Sequence, residues 1–200
     1  LVAAATGNSS VCKLLLSTKN NGVDINVTTD SGATPLYFAA QEGHINIVRL
    51  LLSQNEIDVN AATDSGATPL FISSQEGHVE VVELLLATND IDINNAENNN
   101  NGWTALHIAA ETGHIEVVRL LVSKAGIDIN RASRDFGFTA LYVAAEKGRV
   151  EIVRILLSTN GIDISVQHES TALYIASENG HDEIVRLILL ERGSLIMAGC

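Results

Sequence analysis

The stretch Thr34–Ser53, which reads TPLYFAAQEGHINIVRLLLS, contains the signals for two short helices joined by a turn. Thr34 is a favourable N-cap residue, and Pro35 suits the first helical position because a missing N–H there leaves no helical hydrogen bond unmade. After about nine residues, Gly43 can take the left-handed conformation that ends a helix. A second helix is predicted directly after it, with an apolar stripe formed by Ile45, Val48, Leu51 and Leu52.

Three phrases of this kind recur along the chain at a spacing of 32 to 36 residues. The T-[PA]-L phrase begins at Thr34, Thr68, Thr104, Thr139 and Thr171. A glycine followed by His or Arg occurs at Gly43, Gly77, Gly113, Gly148 and Gly180. The D-[IV]-N phrase ends at Asn26, Asn60, Asn94 and Asn130, with a variant that ends at Ser165. These recurrences predict one domain over 1–200, divided into units at about 1–28, 29–62, 63–96, 97–132, 133–166 and 167–200.

Neither helix of a unit reaches the ~12 residues at which an isolated helix becomes marginally stable. Each unit must therefore bury its apolar stripes against its neighbours, as in a solenoid. The paired alanines at Ala39, Ala109 and Ala144 suit this arrangement, because small side chains let neighbouring helices approach closely. The sequence thus predicts an all-α solenoid of helix-turn-helix units that are connected by β-hairpin or outward loops.

The pattern G-x-T-P-L-x-x-A-A-x-x-G-H-x-x-V-V-x-L-L-L…D-V-N resembles the ankyrin repeat. Trp103–Val122, WTALHIAAETGHIEVVRLLV, is the best copy and includes His107 at the T-x-L-H position. The resemblance covers essentially the whole chain, as one truncated and five fuller repeats. The chain departs from it where aromatic residues replace that histidine, at Tyr37, Phe71, Tyr142 and Tyr174. The loop before Thr171 is also short, and we expect it to be irregular.

The charge balance limits the classes of partner. The chain has 12 Lys or Arg against 24 Asp or Glu, a formal net charge of −12. Such a chain repels nucleic acid and anionic membranes, so the charge favours a partner protein that is basic or mixed in charge. The second helices carry Glu-x-x-Arg pairs, predicted to form ion pairs worth ~0.2–0.5 kcal/mol each. These pairs are Glu116/Arg119, Glu151/Arg154 and Glu183/Arg186.

Cysteine usage and the chain's first residues bear on the cellular setting. The two cysteines, Cys12 and Cys200, form no disulfide or zinc framework, so a reducing compartment, cytoplasmic or nuclear, is predicted. No apolar run approaches the ~18 residues of a membrane-spanning helix. The opening LVAAATGN reads as the interior of a repeat and predicts a fragment of a longer protein.

Two motifs invite a catalytic or metal-binding interpretation. D-S-G occurs at Asp30 and at Asp64, as in the paired loops of aspartic proteases, whose carboxylates lie about 3 Å apart. Successive solenoid layers would separate these two carboxylates by about 10 Å, so turns are favoured. The histidines after the glycines would also lie too far apart to share a zinc ion. We expect them to begin helices and bond to nearby backbone, and we predict no catalytic residue, metal or cofactor.

The resemblance implies that loop tips and the exposed face of each first helix contact a partner protein. The predicted binding residues are Asp30, Ser31, Gln41, Glu42, Asp64, Ser65, Gln75, Glu76, Trp103, Glu111, Thr112, Asp135, Phe136, Phe138, Glu146 and Lys147. Glutamates would form an acidic stripe among them, continued by Glu178, although a merely solvated face is the alternative. Trp103 and Phe138 fit an interface and packing against the loop base equally well, whereas Phe136 favours the interface.

The resemblance also implies a modification. Asn60 and Asn94 match L-x5-[DE]-[VI]-N, a sequence that an asparaginyl hydroxylase of ankyrin repeats favours. The alternative is that these side chains tie the loop together through hydrogen bonds.

The preferred function is a non-catalytic, monomeric protein-interaction module. The alternatives are a spacer in a longer ankyrin array, or the targeting domain of a larger protein whose enzymatic part lies elsewhere. Self-association through an apolar last unit, with Leu187, Ile188, Leu195 and Ile196 exposed, is a further expectation.

Overall fold

In the computed structural model, residues 1–17, 24–97, 102–164 and 171–198 are described, with side chains to residue 191. The predicted irregular loop before Thr171 and the predicted variant at Ser165 lie outside these ranges. The described helices are α1 (Val2–Ala5), α2 (Ser9–Ser17), α3 (Pro35–Gln41), α4 (Ile45–Leu52), α5 (Pro69–Glu76), α6 (Val79–Leu86), α7 (Ala105–Thr112), α8 (Ile115–Ser123), α9 (Ala140–Glu146), α10 (Val150–Leu157), α11 (Ala172–Glu178) and α12 (Asp182–Ala198).

The helices begin and end on the predicted residues. The Thr34 side chain accepts a hydrogen bond from the backbone N–H of Tyr37 at 3.2 Å, and Pro35 occupies the first turn of α3. Equivalent threonine caps start α5, α9 and α11. Glycines with positive φ follow the first helices, and Gly43 at φ 68° comes two residues after the end of α3. Since these signals are local, the sequence predicts them well.

Contacts between Cα atoms divide the chain into two compact units, here called the first half (1–100) and the second half (101–200). In the first half, α3 packs against α1 and α5, while α4 packs against α2 and α6. In the second half, α9 packs against α7 and α11, and α10 against α8 and α12. Apolar side chains of the stacked helices form the cores of both halves. Among the largest fully buried side chains are Leu36, Ile47, Leu70, Leu85, Leu106, Leu121, Ile152, Leu156 and Ile184. The all-α fold of stacked helix pairs is confirmed, and the single domain over 1–200 stays a prediction.

The recurring Gly-His phrase links consecutive repeats. The His78 imidazole lies over Gly43 of the preceding repeat, so that a Cβ on that glycine would come within 2.7 Å of the ring. His78 Nε2 lies 2.8 Å from the carbonyl oxygen of Gln41. His44 and His181 make the same kind of bond one repeat back, and Arg149 replaces the imidazole with two N–H donors to the Glu111 carbonyl. The predicted backbone bonds therefore exist, but they join layers.

One predicted ion pair on the second helices is confirmed, with additional pairs between repeats, and one predicted exposure is wrong. The Glu116–Arg119 pair forms at 3.5 Å, but Arg119 also reaches Glu151 of the next repeat at 2.8 Å. Arg154 likewise pairs with Glu183 of the next repeat. In α12 the predicted exposure of Ile188 is wrong, since this residue is 2% exposed.

Other residues of the last repeat are apolar and exposed. Leu189 and Leu190 have exposed fractions of 50% and 71%, Leu187 is half-buried, and the side chains of Leu195 and Ile196 lie outside those described. Among the residues that the structure describes, no helix is long and apolar enough to cross a bilayer.

Candidate protein-binding surface

The D-S-G loops of the first half are tight turns. In Thr29–Ala33, the Thr29 N–H donates to the Ala33 carbonyl at 3.0 Å, and the Gly32 N–H donates back to Thr29 at 2.9 Å. Thr63–Ala67 repeats both bonds. The Asp64 N–H donates to the carbonyl of Ser31 at 3.0 Å, so the two loops are joined. The predicted turns are confirmed, and they close by turn hydrogen bonds rather than by paired strands.

The equivalent loop of the second half, Ser133–Phe138, closes in the same way but contains one more residue. The Ser133 N–H donates to the Phe138 carbonyl at 2.8 Å, and the Gly137 N–H donates to Ser133 at 3.1 Å. The Ser133 hydroxyl accepts from the Phe138 N–H at 2.9 Å, as Thr29 accepts from Ala33. The added length therefore lies between closing ends that match those of the shorter loops, in the segment that contains Phe136.

Three aromatic rings are stacked on this loop. The Phe138 ring lies 4.2 Å from the Tyr142 ring with an interplanar angle of 2°, and the Phe136 ring lies 5.3 Å from Phe138 at 17°. Exposure rises outward along the stack, from Tyr142 at 7% to Phe136 at 58%. Phe138 thus packs on α9, and Phe136 presents its ring to solvent.

His107 holds the same loop from the preceding repeat. Its Nε2 lies 3.0 Å from the Phe138 carbonyl, and its Nδ1 accepts from the Thr104 N–H at 3.2 Å, which makes Nε2–H the donor tautomer. Burial lowers the pKa of His107 to about 4, although the bond to the Phe138 carbonyl opposes that shift. Trp103 stacks on this imidazole at 6.0 Å and is half-buried, so it packs on the loop base.

The acidic stripe differs between the halves. Glu42 and Glu76 are exposed at the residue directly before each helix-ending glycine. Glu111 and Glu146 lie two residues before their glycines and are half-buried. In the fourth fuller repeat, Lys147 takes the position that Glu42 occupies in the first. Lys147 Nζ lies 3.3 Å from Glu111 and 3.6 Å from Glu146, so a cation sits within the predicted stripe.

Burial and two glutamates of the first half act on the Tyr37 phenol. Tyr37 lies on α3 at the position that His107 occupies on α7. Burial raises the pKa of Tyr37, and the carboxylates of Glu76 and Glu97 raise it further. The phenol therefore stays neutral at physiological pH.

The sixteen predicted binding residues all lie at the surface. Those on loop tips and helix ends are exposed, namely Asp30, Ser31, Glu42, Asp64, Glu76, Asp135, Phe136 and Lys147. The others are half-buried: Gln41, Ser65, Gln75, Trp103, Glu111, Thr112, Phe138 and Glu146. Sequence reasoning missed Tyr142 as the base of the aromatic stack and Ser133 as the residue that closes the loop. The longer SRDFGF segment, compared with TDSGA, was the available signal.

The asparagines of the D-[IV]-N phrase form a ladder between repeats. Asn60 donates from Nδ2 to the Asp90 carbonyl at 2.6 Å and accepts at Oδ1 from the Asp92 N–H at 2.8 Å. Asn26 and Asn130 make the same two bonds to the repeats that follow them. The side chain of Asn60 therefore ties neighbouring loops, whereas hydroxylation of Asn60 and Asn94 stays a prediction.

Metal ions require groupings of ligand side chains. Within 1–17, 24–97, 102–164 and 171–191, no three His, Cys, Asp or Glu side chains are grouped as a metal site would require. The described cysteine, Cys12, is buried, and burial raises the pKa of its thiol, which keeps it protonated and unreactive.

Comparison with known proteins agrees with this architecture. A family model of ankyrin repeats, built as three copies, matches residues 1–97, 57–133, 93–168 and 131–198. Inversin of Danio rerio is 46% identical over 52 residues, which are 26% of this chain and 5% of that protein. Cortactin-binding protein 2 of Aotus nancymaae and of Ateles geoffroyi is 47% identical over 51 residues, which are 26% of this chain and 3% of each relative. Ankyrin repeats generally mediate contacts between proteins and are generally non-catalytic. The chain belongs to the ankyrin-repeat family.

Proposed function

We propose that this chain is a non-catalytic protein-binding module that contacts its partner through its loop tips and the ends of its first helices. The observation that carries the proposal is the Ser133–Phe138 loop, which is closed by backbone hydrogen bonds and presents a 58% exposed phenylalanine. Exposed aromatic anchors held on a rigid support are typical of interface hot spots. The proposed contact residues are the sixteen predicted from the sequence.

The partner is proposed to be basic in the segment that meets the first half. Glu42, Glu76, Asp30 and Asp64 are exposed there on successive repeats. Complementary charge on a partner would speed association and would make the affinity depend on salt. In the second half Lys147 offsets part of the acidic stripe, so recognition by this half depends more on the aromatic loop.

The cellular setting belongs to the same proposal. The module is a monomer in a reducing compartment, cytoplasmic or nuclear, and it binds neither nucleic acid nor a membrane. Exposed Leu189 and Leu190 offer a site for self-association at high concentration. The name of one relative records binding to cortactin, which supports a protein partner in general and not that partner in particular. A spacer role in a longer array remains the alternative.

Affinity capture with the isolated chain tests the proposal. The chain and its Phe136→Ala and Trp103→Ala variants would be immobilised, and captured proteins would be identified by cross-linking and mass spectrometry. Ile115→Ala is the matched control, because Ile115 is an exposed apolar residue of the same half that lies at the start of α8. We expect Phe136→Ala to lose the partner, Trp103→Ala to weaken it, and Ile115→Ala to retain it.

Capture that is unchanged by Phe136→Ala would overturn the proposed surface. Salt-insensitive capture of an acidic protein would overturn the charge assignment. An enzymatic activity of the isolated chain would contradict the non-catalytic role.

A further inference from the structure

The Ser133–Phe138 loop is one residue longer than the D-S-G loops, and the role inferred for this extra length rests on the proposed function. Loops Thr29–Ala33 and Thr63–Ala67 show that the fold closes this connection with one residue fewer and with buried alanines at Ala33 and Ala67. The longer loop uses the same closing bonds. Its extra length is therefore not needed to join the repeats, and the side chain it adds to the surface is the exposed ring of Phe136.

The stack fixes which face of Phe136 is available. Phe138 covers one face of the ring at an interplanar angle of 17°, and Phe138 in turn lies parallel to Tyr142, which is 7% exposed. The 58% exposure of Phe136 therefore belongs to its outer face and edge. Because the supporting rings and the loop backbone are already ordered, a ligand on the outer face would cost little further ordering of the protein.

Charge next to this ring selects the ligand. The electron-rich face of an aromatic ring attracts cations, and Asp135, the residue before Phe136, has an exposed carboxylate. The side chain of Arg134 lies along Gly102, where a Cβ would come within 2.9 Å of Arg134 Cγ, so this guanidinium stem is directed to the preceding loop. A planar guanidinium can stack on the ring and hydrogen-bond to a carboxylate at the same time, whereas an ammonium group is a compact point charge that is more strongly hydrated.

We propose that the outer face of Phe136, together with the Asp135 carboxylate, is the docking point for an arginine side chain of the partner protein. The guanidinium lies flat on the ring and donates hydrogen bonds to Asp135. The occupant is thus one residue type of the partner protein, and the ring and the Asp135 carboxylate select it rather than the charge of the second half, which is only −3 (nine Lys or Arg against twelve Asp or Glu).

NMR titration of the whole chain with labelled phenylalanine rings tests this assignment. The chain has four phenylalanines, Phe38 and Phe71 in the first half and Phe136 and Phe138 in the second, so the first pair is an internal reference. The probes are N-acetyl-arginine amide, N-acetyl-lysine amide and N-acetyl-leucine amide. The variants are Phe136→Leu, which keeps an apolar side chain without a ring, and Asp135→Asn, which removes only the charge.

We expect the arginine probe to shift the resonances of Phe136 and Phe138 and not those of Phe38 and Phe71. Its affinity should exceed that of the leucine probe by about 3-fold or more, and each variant should weaken it by about 2- to 5-fold. Equal or tighter binding of the leucine probe would overturn the proposal, as would arginine binding that is unchanged in Phe136→Leu. A shift at the half-buried Phe38 comparable to that at Phe136 would also overturn it, because it would indicate unspecific binding.

The outcomes separate this inference from the proposed function. If the leucine probe binds better and Phe136→Ala still loses the captured partner, the protein-binding role stands and the arginine assignment fails. If neither Phe136→Ala nor Trp103→Ala affects capture, the proposed surface fails whichever probe binds.

Discussion

The first and second halves are built from the same repeat and present different surfaces. Residues 1–100 contain three Lys or Arg and twelve Asp or Glu, a formal net charge of −9, whereas residues 101–200 contain nine and twelve, a net charge of −3. In the second half, Arg119, Lys147 and Arg154 form ion pairs with glutamates of their own or neighbouring repeats. The first half closes its loops on buried alanines, and the second half closes one of them on a stack of aromatic rings.

This difference shows which features the fold requires and which it leaves free. Threonine caps, positive-φ glycines and the bonds from one repeat to the next occur in both halves, because stacking short helices depends on them. Surface charge, loop length and the residue at the His107 position vary, because stacking tolerates several solutions there. The variable positions are the ones proposed to bind a partner.

Acid should weaken the second half first, and this is the largest effect that we expect. The pKa of His107 falls from 6.5 in the unfolded chain to about 4 in the fold. Below pH 6.5 the unfolded state therefore binds more protons than the folded state, so stability falls as the pH drops from 6.5 to 4 and levels off below. The full loss of stability is about 3 kcal/mol. The first half lacks this pH-dependent loss, because Tyr37 and Phe71 occupy the position of His107 there.

Amide hydrogen exchange at pH 7 and pH 4.5, corrected for intrinsic rates, would measure this difference. Protection should fall more in residues 102–164 than in residues 24–97. His107→Tyr is the control, since it is less stable at neutral pH but should lose the steep pH dependence. Equal changes in both halves would show that His107 does not control the acid response.

The sequence predicts the local parts of this structure and misses the parts that depend on register between repeats. Thr34, Pro35 and Gly43 act within one turn of the chain, so their roles can be read directly. The pairing of Arg154 with Glu183 could not be read from the sequence, because the sequence does not state how far one second helix is displaced from the next. The stripe of glutamates is a different case, since the sequence itself places Glu42 one residue before its glycine and Glu146 two residues before its own. The aromatic stack depends on Tyr142, which sequence reasoning treated only as a substitute for histidine.

The second test concerns the Gly-His contact, which both halves share. Gly43→Ala should cost about 2–3 kcal/mol, of which about 1–2 arise from the left-handed backbone and about 1 from displacing His78 from the Gln41 carbonyl. Gly180→Ala is the matched control: its φ is 72°, and a Cβ there would meet nothing within 4 Å. Chemical unfolding should show the smaller cost for Gly180→Ala. The difference should vanish when Gly43→Ala is made in a His78→Ala background, and a difference that persists would argue against the contact.

The third test removes a buried hydroxyl, that of Ser74, from the core of the first half. Ser74 takes the place of Ala40, Ala110 and Ala145, and its hydroxyl is buried without a hydrogen-bond partner. Ser74→Ala should therefore stabilise the protein by about 1 kcal/mol, because the hydroxyl is desolvated without compensation. Ser73→Ala is the control, since the Ser73 hydroxyl donates to the Pro69 carbonyl at 2.8 Å and its removal should not stabilise. Equal effects of the two variants in urea unfolding would contradict this reading of the core.

The smallest effect concerns the lysine that makes the second half less acidic at its helix ends. Lys147→Thr installs the residue found at Thr112 in the preceding repeat and removes the ion pairs to Glu111 and Glu146. Because these side chains are 33–40% exposed, the loss of stability should be at most about 0.5 kcal/mol. This loss should disappear in 0.5 M salt, where the Debye length is only ~4 Å. Lys13→Thr makes the same charge change on α2 of the first half and serves as the control. Thermal unfolding at low and high salt would show the effect. A loss of more than about 1 kcal/mol that persists in salt would mean that the Lys147 stem stabilises the repeat through packing. The charge difference between the halves would then be a consequence of packing rather than a property of the binding surface.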